Sequence, residues 1–513
     1  MKRLLAALAL LSCVCALREP RTTGQSGEPC SHNEDCDSSV CFLGECRAPS
    51  SAISTIYAEV RSSDSRYGTL QQGGIDLRKT ALADFTLQPV LSISGHVTQA
   101  SVPVAGASVV FTDASPKIPD RTVSISAQSD SSGTYSAILP ASTYQVRVAP
   151  ANLPVSQVGT VQPQTPLDVA IPPASSLAHV QGILVVNGTR LAGAQVSAVD
   201  ANGVSISGTQ ITANDGSFAL VLPPGPPVFS LQIGPQAAAP TNDTTPTFTP
   251  RAFPAGQPAN LGTIDLGLLP ATATLTGKVQ DSRGAALAST RVVVVATGAT
   301  GYALSKQATT GTDGTFSVVV LQGTYLVQAM PDADPQSPAI SPSVQAVPVN
   351  APSVQLGTPI VCPDKLHVAG TVLRADGSRA PAGFRVEATR VPDQVIPGRG
   401  TQTATTDASG AFALVLDGGR YRVTITPTAE SALPRTIVTI DVPAGAAPSL
   451  RIAPPLDLVG TIRAGSQPVA ATVDFYALDA SGKRSVLIGS AVADSTSGQY
   501  KVILPDVPQP AGQ

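Results

Sequence analysis

The stretch Asp313-Gly314-Thr315-Phe316-Ser317-Val318-Val319-Val320, followed by Gly323-Thr324-Tyr325-Leu326-Val327-Gln328-Ala329, decides how this chain is read. Asp then Gly makes a tight turn, because the carboxylate accepts hydrogen bonds from nearby backbone N–H groups and Gly supplies a positive φ. The aromatic after the turn starts a strand and caps a core. Tyr325, Val327 and Ala329 then alternate with period two, which places them on one face of a half-buried strand. The same succession recurs at Asp130…Gly133-Thr134-Tyr135, Asp215-Gly216-Ser217-Phe218, Asp407…Gly410-Ala411-Phe412 and Asp494…Gly498-Gln499-Tyr500.

Working outward, each turn is preceded by an apolar alternation that ends in Gly95, Gly182, Gly277, Gly370 or Gly460, a period of about 90 residues. A turn follows, as in Pro103-Val104-Ala105-Gly106-Ala107 and Leu191-Ala192-Gly193-Ala194. A strand comes next, through Val109-Phe111, Val196-Ala198, Val292-Val294, Val386-Ala388 and Val473-Phe475. After the aromatic turn, four units carry what reads as its hairpin partner: Tyr144-Val146-Val148, Phe229-Leu231-Ile233, Tyr325-Val327-Ala329 and Tyr421-Val423-Ile425. A last strand ends the unit, with proline after Ile171 closing the first. About seven short strands per unit mean an antiparallel two-sheet sandwich. The fold class is therefore all-β: tandem antiparallel Ig-like or transthyretin-like β-sandwiches in an elongated array. The expected divisions are a signal peptide at 1–16, a linker with four cysteines at 17–50, and a partial β unit at 51–90. Sandwiches follow at 91–173, 174–270, 271–363 and 364–455, and an incomplete one at 456–513.

The strand-Gly opening, the Gly-Ala turn, the Asp…Gly-x-Tyr/Phe turn and the Tyr-x-Val-x-Val strand together resemble the carboxypeptidase regulatory-like family, over roughly residues 51–513. The resemblance implies a transthyretin-like sandwich with a structural or accessory role and surface exposure. It implies no activity.

Composition agrees with many strands and turns: 13% of residues are charged, with 44 Gly and 46 Pro in 513 residues. The formal net charge of −3 offers no basic field for nucleic acid. At the N-terminus, Lys2 and Arg3 precede the short apolar run Leu4 to Leu11, a targeting pattern too short for a membrane span. Leu10-Leu11-Ser12-Cys13 resembles the lipobox of bacterial lipoproteins, which implies acylation of Cys13 and a lipid-anchored protein of the bacterial cell envelope, in the outer membrane. The alternative is cleavage after Ala16 and full secretion. Cys30, Cys36, Cys41 and Cys46 sit among polar residues and read as a two-disulfide knot in an exported chain, with the connectivity open. Zinc is the rival, although no close Cys pair of the usual zinc spacing occurs. Cys362 is left to pair with Cys15, to pair with another chain, or to lie buried.

Catalysis finds little to work with. None of His32, His96, His179 and His367 has a Glu three residues later, and no nucleophile elbow, phosphate loop or His-centred triad occurs. The recurring turn has one Asp where a calcium loop needs several oxygen ligands. Neither cofactor nor metal is expected. Lys278 and Asn350 fall in one unit, but an isopeptide crosslink between them would need a dry core and an acid, and no Glu occurs there. Tyr67, Phe248, Phe253 and Tyr302 read as scattered loop aromatics, not as a sugar platform. The remaining function is a non-catalytic surface spacer or adhesive array. Its partner is an envelope or surface protein or a polysaccharide, met by the variable loops 112–128, 235–255, 331–353 and 391–403. The alternative is an accessory carbohydrate- or protein-binding module of an extracellular hydrolase system. Five units in line would reach about 170 Å. Residues 51–90 look like the end of a unit whose beginning is missing, and the C-terminus shows the reverse defect. Either the last unit is a reduced one, or a neighbouring chain completes it head to tail.

Overall fold

The computed structural model describes residues 41–42, 45–46 and 55–506, except 80, 115–123, 151–152, 163–165, 202, 226–227, 237–242, 255–258, 300, 332–339, 392–400, 444–446, 479–481 and 483. Among the described residues the regular structure is strand, apart from the single 3-10 turns Ala174–Ser176 and Ala429–Ser431.

Unit 1 shows the plan. Its opening strand, Val90–Gln99, lies between Thr134–Pro140 and Val169–Ile171. A second sheet runs in the order Ser156–Val161, Tyr144–Ala149, Ser108–Asp113, Ser124–Gln128. Pairing is antiparallel except at the last strand, which runs parallel to the opening one, with Val169 opposite Val97. Alternate residues of both sheets point inward. Ile93, Tyr135 and Leu139 from one meet Phe111, Tyr144 and Val148 from the other in one buried cluster. Units 2, 3 and 4 repeat the plan around their own clusters, and the last strand is again parallel in each.

The strand that reads as a hairpin partner for the aromatic-turn strand belongs to the other sheet. Tyr144 stands opposite Asp113 and Val161, not opposite any residue of Thr134–Pro140. The physical reason is that both strands carry an apolar alternation. By crossing from sheet to sheet, the chain buries the two alternations face to face in one core.

The largest departure concerns the two ends of the chain. Thr55–Ser62 pairs antiparallel with Ala471–Leu478, Leu70–Asp76 flanks it, and Phe85–Thr86 pairs parallel with Pro455–Ala464. The sheet order Leu70–Asp76, Thr55–Ser62, Ala471–Leu478, Arg484–Val492 reproduces the second sheet of unit 1 strand for strand. Ile56, Ala58, Phe85 and Leu87 share one buried cluster with Leu458, Phe475, Tyr500 and Leu504. The last unit is thus neither reduced nor completed by a neighbour. The segment read as a partial N-terminal unit fills it within the same chain. The array of sandwiches is the observed fold, but its ends meet, and the expected line of five is closed into a circuit.

Candidate functional site

The recurring polar residue is the turn Asp. In unit 1, Asp130 Oδ1 accepts from the backbone N–H groups of Ser132 at 2.8 Å and Thr134 at 2.9 Å. Asp407 does the same with Ser409 at 2.7 Å and Ala411 at 3.0 Å, and Asp494 with Thr496 at 3.0 Å and Ser497 at 2.8 Å. Asp215 and Asp313 each hold one such N–H, from Ser217 at 3.0 Å and Thr315 at 3.1 Å. Hydroxyl and backbone hydrogen bonds hold all five carboxyls below their ordinary range. The turn glycine is at φ 74° in Gly133 and 70° in Gly498. A Cβ at either would stand 2.6 Å or 2.4 Å from a carbonyl of the opening strand. The motif is a clasp between turn and opening strand, in which Oδ1 of each Asp is engaged by its own turn.

The opening-strand glycine has a second task. Gly95, Gly182, Gly277, Gly370 and Gly460 stand directly across the strand pair from Tyr135, Phe218, Phe316, Phe412 and Tyr500. In units 2, 3 and 4 the phenylalanine ring lies over the space a side chain would fill, a Cβ at Gly277 standing 2.7 Å from the Phe316 ring. At Gly95 and Gly460 a Cβ would instead meet the carbonyls of Leu167 and Ala83 at 1.9 Å. Where the aromatic is tyrosine, its hydroxyl ties in the last strand. Tyr135 Oη donates to Leu167 O at 2.6 Å, and Tyr500 Oη donates to Ala83 O at 2.6 Å, across 417 residues of sequence. Burial pushes the Tyr135 phenol up to about 12 and Tyr500 higher still. Asp168 and Asp84 are the matching acceptors, taking the N–H of His96 at 2.8 Å and of Thr461 at 2.7 Å.

Cys13, Cys30 and Cys36 lie outside the described residues, as does His32. Cys41 and Cys46 are backbone partners across the hairpin of Cys41–Phe42 and Glu45–Cys46. Cys362 is buried in the core of unit 3. His179 and His367 are exposed strand residues opposite Val221 and Val415, and His96 Nδ1 lies 3.2 Å from Asp168. Among the described residues no three His, Cys, Asp or Glu side chains come together as a metal site. Lys278 and Asn350 are both exposed, so the dry setting an isopeptide bond needs is missing. The aromatics read as scattered over loops are mostly structural. Phe253 stacks on Phe229 at 5.4 Å, and Phe248 is buried and pairs with Tyr302 across the joint of units 2 and 3. They lie where the loops fold back on the cores.

One polar cluster was invisible in the sequence, because its members are more than 400 residues apart. Glu59 and Asp474 are cross-strand partners, 3% and 6% exposed, so two like charges sit side by side out of water. Arg61 bridges them, donating to Glu59 at 3.1 Å and to Asp474. Arg484 donates to Glu59 at 3.2 Å while covering the Tyr476 ring at 4.5 Å, and Ser490 donates to Asp474 at 2.6 Å. The acids are neutralised by fixed cations, an arrangement that locks the two chain ends together.

At the joint of units 1 and 2 a cleft of 850 Å³ is lined by Val155, Val158, Pro172, Ile206, Asp168 and Asp200. Arg147 crosses this joint to Ser205 O at 3.0 Å. Both carboxylates accept backbone N–H groups, Asp168 from His96 and Asp200 from Val204 at 2.9 Å.

No protein-family model and no curated protein sequence matches the chain. Among solved structures it is similar to a Streptococcal ancillary pilin, at 11% identity over 54% of this chain and 99% of that one, with a TM-score of 0.23. The Bacillus anthracis TIE protein matches at 13% identity over 68% of both chains, with a TM-score of 0.17. BcpA, the major pilin subunit of Bacillus cereus, matches at 11% identity over 54% of this chain and 98% of its own, with a TM-score of 0.16. No function is carried over from likeness at this level.

Proposed function

We propose that this protein is a non-catalytic scaffold of carboxypeptidase regulatory-like sandwiches on the bacterial envelope. In this reading a lipid on Cys13 anchors it, and a tether braced by disulfides among Cys30, Cys36, Cys41 and Cys46 leads to the closed array. The array holds its outer sheet faces and loops toward a surface protein or polysaccharide. The observation that carries the reading is where the recurring polar groups go. Each turn Asp binds the backbone of its own turn through Oδ1, and the Tyr135 and Tyr500 hydroxyls bind backbone carbonyls, which supports a reading in which the repeated chemistry builds rigid supports. Metabolic labelling with an alkyne fatty acid tests the anchor. The wild type should take the label and sediment with membranes, and Cys13→Ala should do neither. Equal labelling of both forms would overturn the anchored scaffold.

A further inference from the structure

The repeats are one another's controls, because the same sheet positions can be compared from unit to unit. Outward positions on the two central strands of the four-stranded sheet carry one charge in unit 1, Arg147, none in unit 2, and one in unit 3, Arg291. The same strands of unit 4, Arg385–Arg390 and Gly419–Thr426, carry four: Arg385, Glu387, Arg420 and Arg422. The flanking strand, Thr436–Val442, adds Asp441, and Arg435 immediately precedes it. Four arginines therefore meet two carboxylates on one face of a chain whose net charge is −3.

The face is ordered in rows. Arg385 stands opposite Thr426, and Arg435 continues that row on the far side of Thr426, because the next residue, Thr436, pairs with Ile425. Arg422 lies two rows further along, between Thr389 and Thr439. Arg385 is paired with Glu387 at 3.0 Å. Arg422 and Arg435 are in no ion pair among the described residues. Arg435 is half-buried, and burial is the main cause lowering its pKa, with Glu387 opposing and Arg385 adding to the effect. Its Nε and the Thr426 hydroxyl are buried without a hydrogen-bond partner. Those two atoms are out of reach of a ligand, so Arg435 meets solvent through the Nη end of its guanidinium, a partly desolvated cation with no carboxylate paired to it among the described residues.

We propose that this face of unit 4 binds an anionic polysaccharide, with Arg422 and Arg435 taking its carboxylate or sulfate groups and the threonine rows meeting its hydroxyls. The proposal rests on the scaffold reading above and names its partner. Between the two guanidinium groups lies the row Glu387, Thr424 and Ile437, whose Ile437 is buried with the core of the last unit. Thr424 on the central strand, with Thr389 and Thr439 beside Arg422, therefore offers hydroxyls on this face, which favours a sugar chain over an acidic peptide.

The test uses the purified full chain on immobilised polygalacturonate, dextran sulfate, neutral dextran and polyglutamate. Binding to polygalacturonate or dextran sulfate is expected, weakening with added salt and absent on neutral dextran. The two charged polymers separate carboxylate from sulfate recognition. Arg422→Gln with Arg435→Gln should lower affinity about ten-fold or more, and Arg291→Gln, on the equivalent face of unit 3, should leave it unchanged. Thermal unfolding checks that the variants stay folded. If the double substitution unfolds unit 4, Arg422→Gln alone must still weaken binding about three-fold. Failure to bind either charged polysaccharide, equal binding by folded variants, or tighter binding to polyglutamate would overturn the proposal. None of these outcomes bears on lipid labelling at Cys13, which tests the scaffold separately.

Discussion

A glycine set opposite an aromatic residue across the strand pair is the smallest device that every unit uses. Gly277 leaves room for the Phe316 ring, which is 4% exposed and closes one end of the unit 3 core. Adding a methyl group at Gly277 forces the ring off its seat, and we expect Gly277→Ala to destabilise unit 3 by about 1–3 kcal/mol. Phe316→Ala should cost about 3–5 kcal/mol, because it leaves a cavity in a packed core. Since both changes act on one contact, the double variant should lose less than the sum of the two. Hydrogen exchange of the strands Thr272–Asp281 and Thr315–Leu321 measures the loss in unit 3 directly. Additive losses would mean that glycine and ring are independent. The aromatic and the glycine are each plain in the sequence. Their pairing is not, because it depends on a register between strands about 40 residues apart.

At the scale of elements, the period-two alternations and Asp-Gly turns located the strands well, since both are local signals. Sheet membership was harder to read. Tyr144–Ala149 follows Thr134–Pro140 after three residues, the spacing of a hairpin, yet it crosses to the facing sheet. The ends of the chain show the limit most clearly. The match of Phe85…Gly95 to Leu450…Gly460 is legible, and so is the absence of two strands after Leu504. That one defect repairs the other depends on a contact between residues 417 apart, and no local pattern reports it. Deleting residues 51–90 should therefore unfold 456–505, exposing Phe475 and Tyr500, while units 2 and 3 stay folded around their own cores. Limited proteolysis with mass mapping would show new cleavage confined to the C-terminal region. A C-terminal half still protected after the deletion would mean that the pairing of Thr55–Ser62 with Ala471–Leu478 is dispensable.

In the whole molecule, the composite unit makes a circuit of what the repeats alone would leave as a line. A sandwich of about 90 residues is about 34 Å across, so a closed set of five spans at most about three widths, near 100 Å, where an open row reaches about 170 Å. Small-angle scattering should give a maximum dimension near the smaller figure. Cutting an engineered protease site at Ala174–Ser176, between units 1 and 2, should raise it without dissociating the pieces, since the composite unit still joins them. A maximum dimension near 170 Å before cleavage would show that the ends part in solution. The circuit also decides how the molecule carries load. Thr55 and Asp506 both leave from the composite unit, so tension between them falls first on the ladder of Thr55–Ser62 against Ala471–Leu478 and on the Arg61 bridge between Glu59 and Asp474. Units 1 to 4 hang in a slack loop and feel none of that pull. When the ladder parts, four intact sandwiches drop into line at once and add about 140 Å to the tether, beyond what the unravelled chain of the composite unit itself contributes.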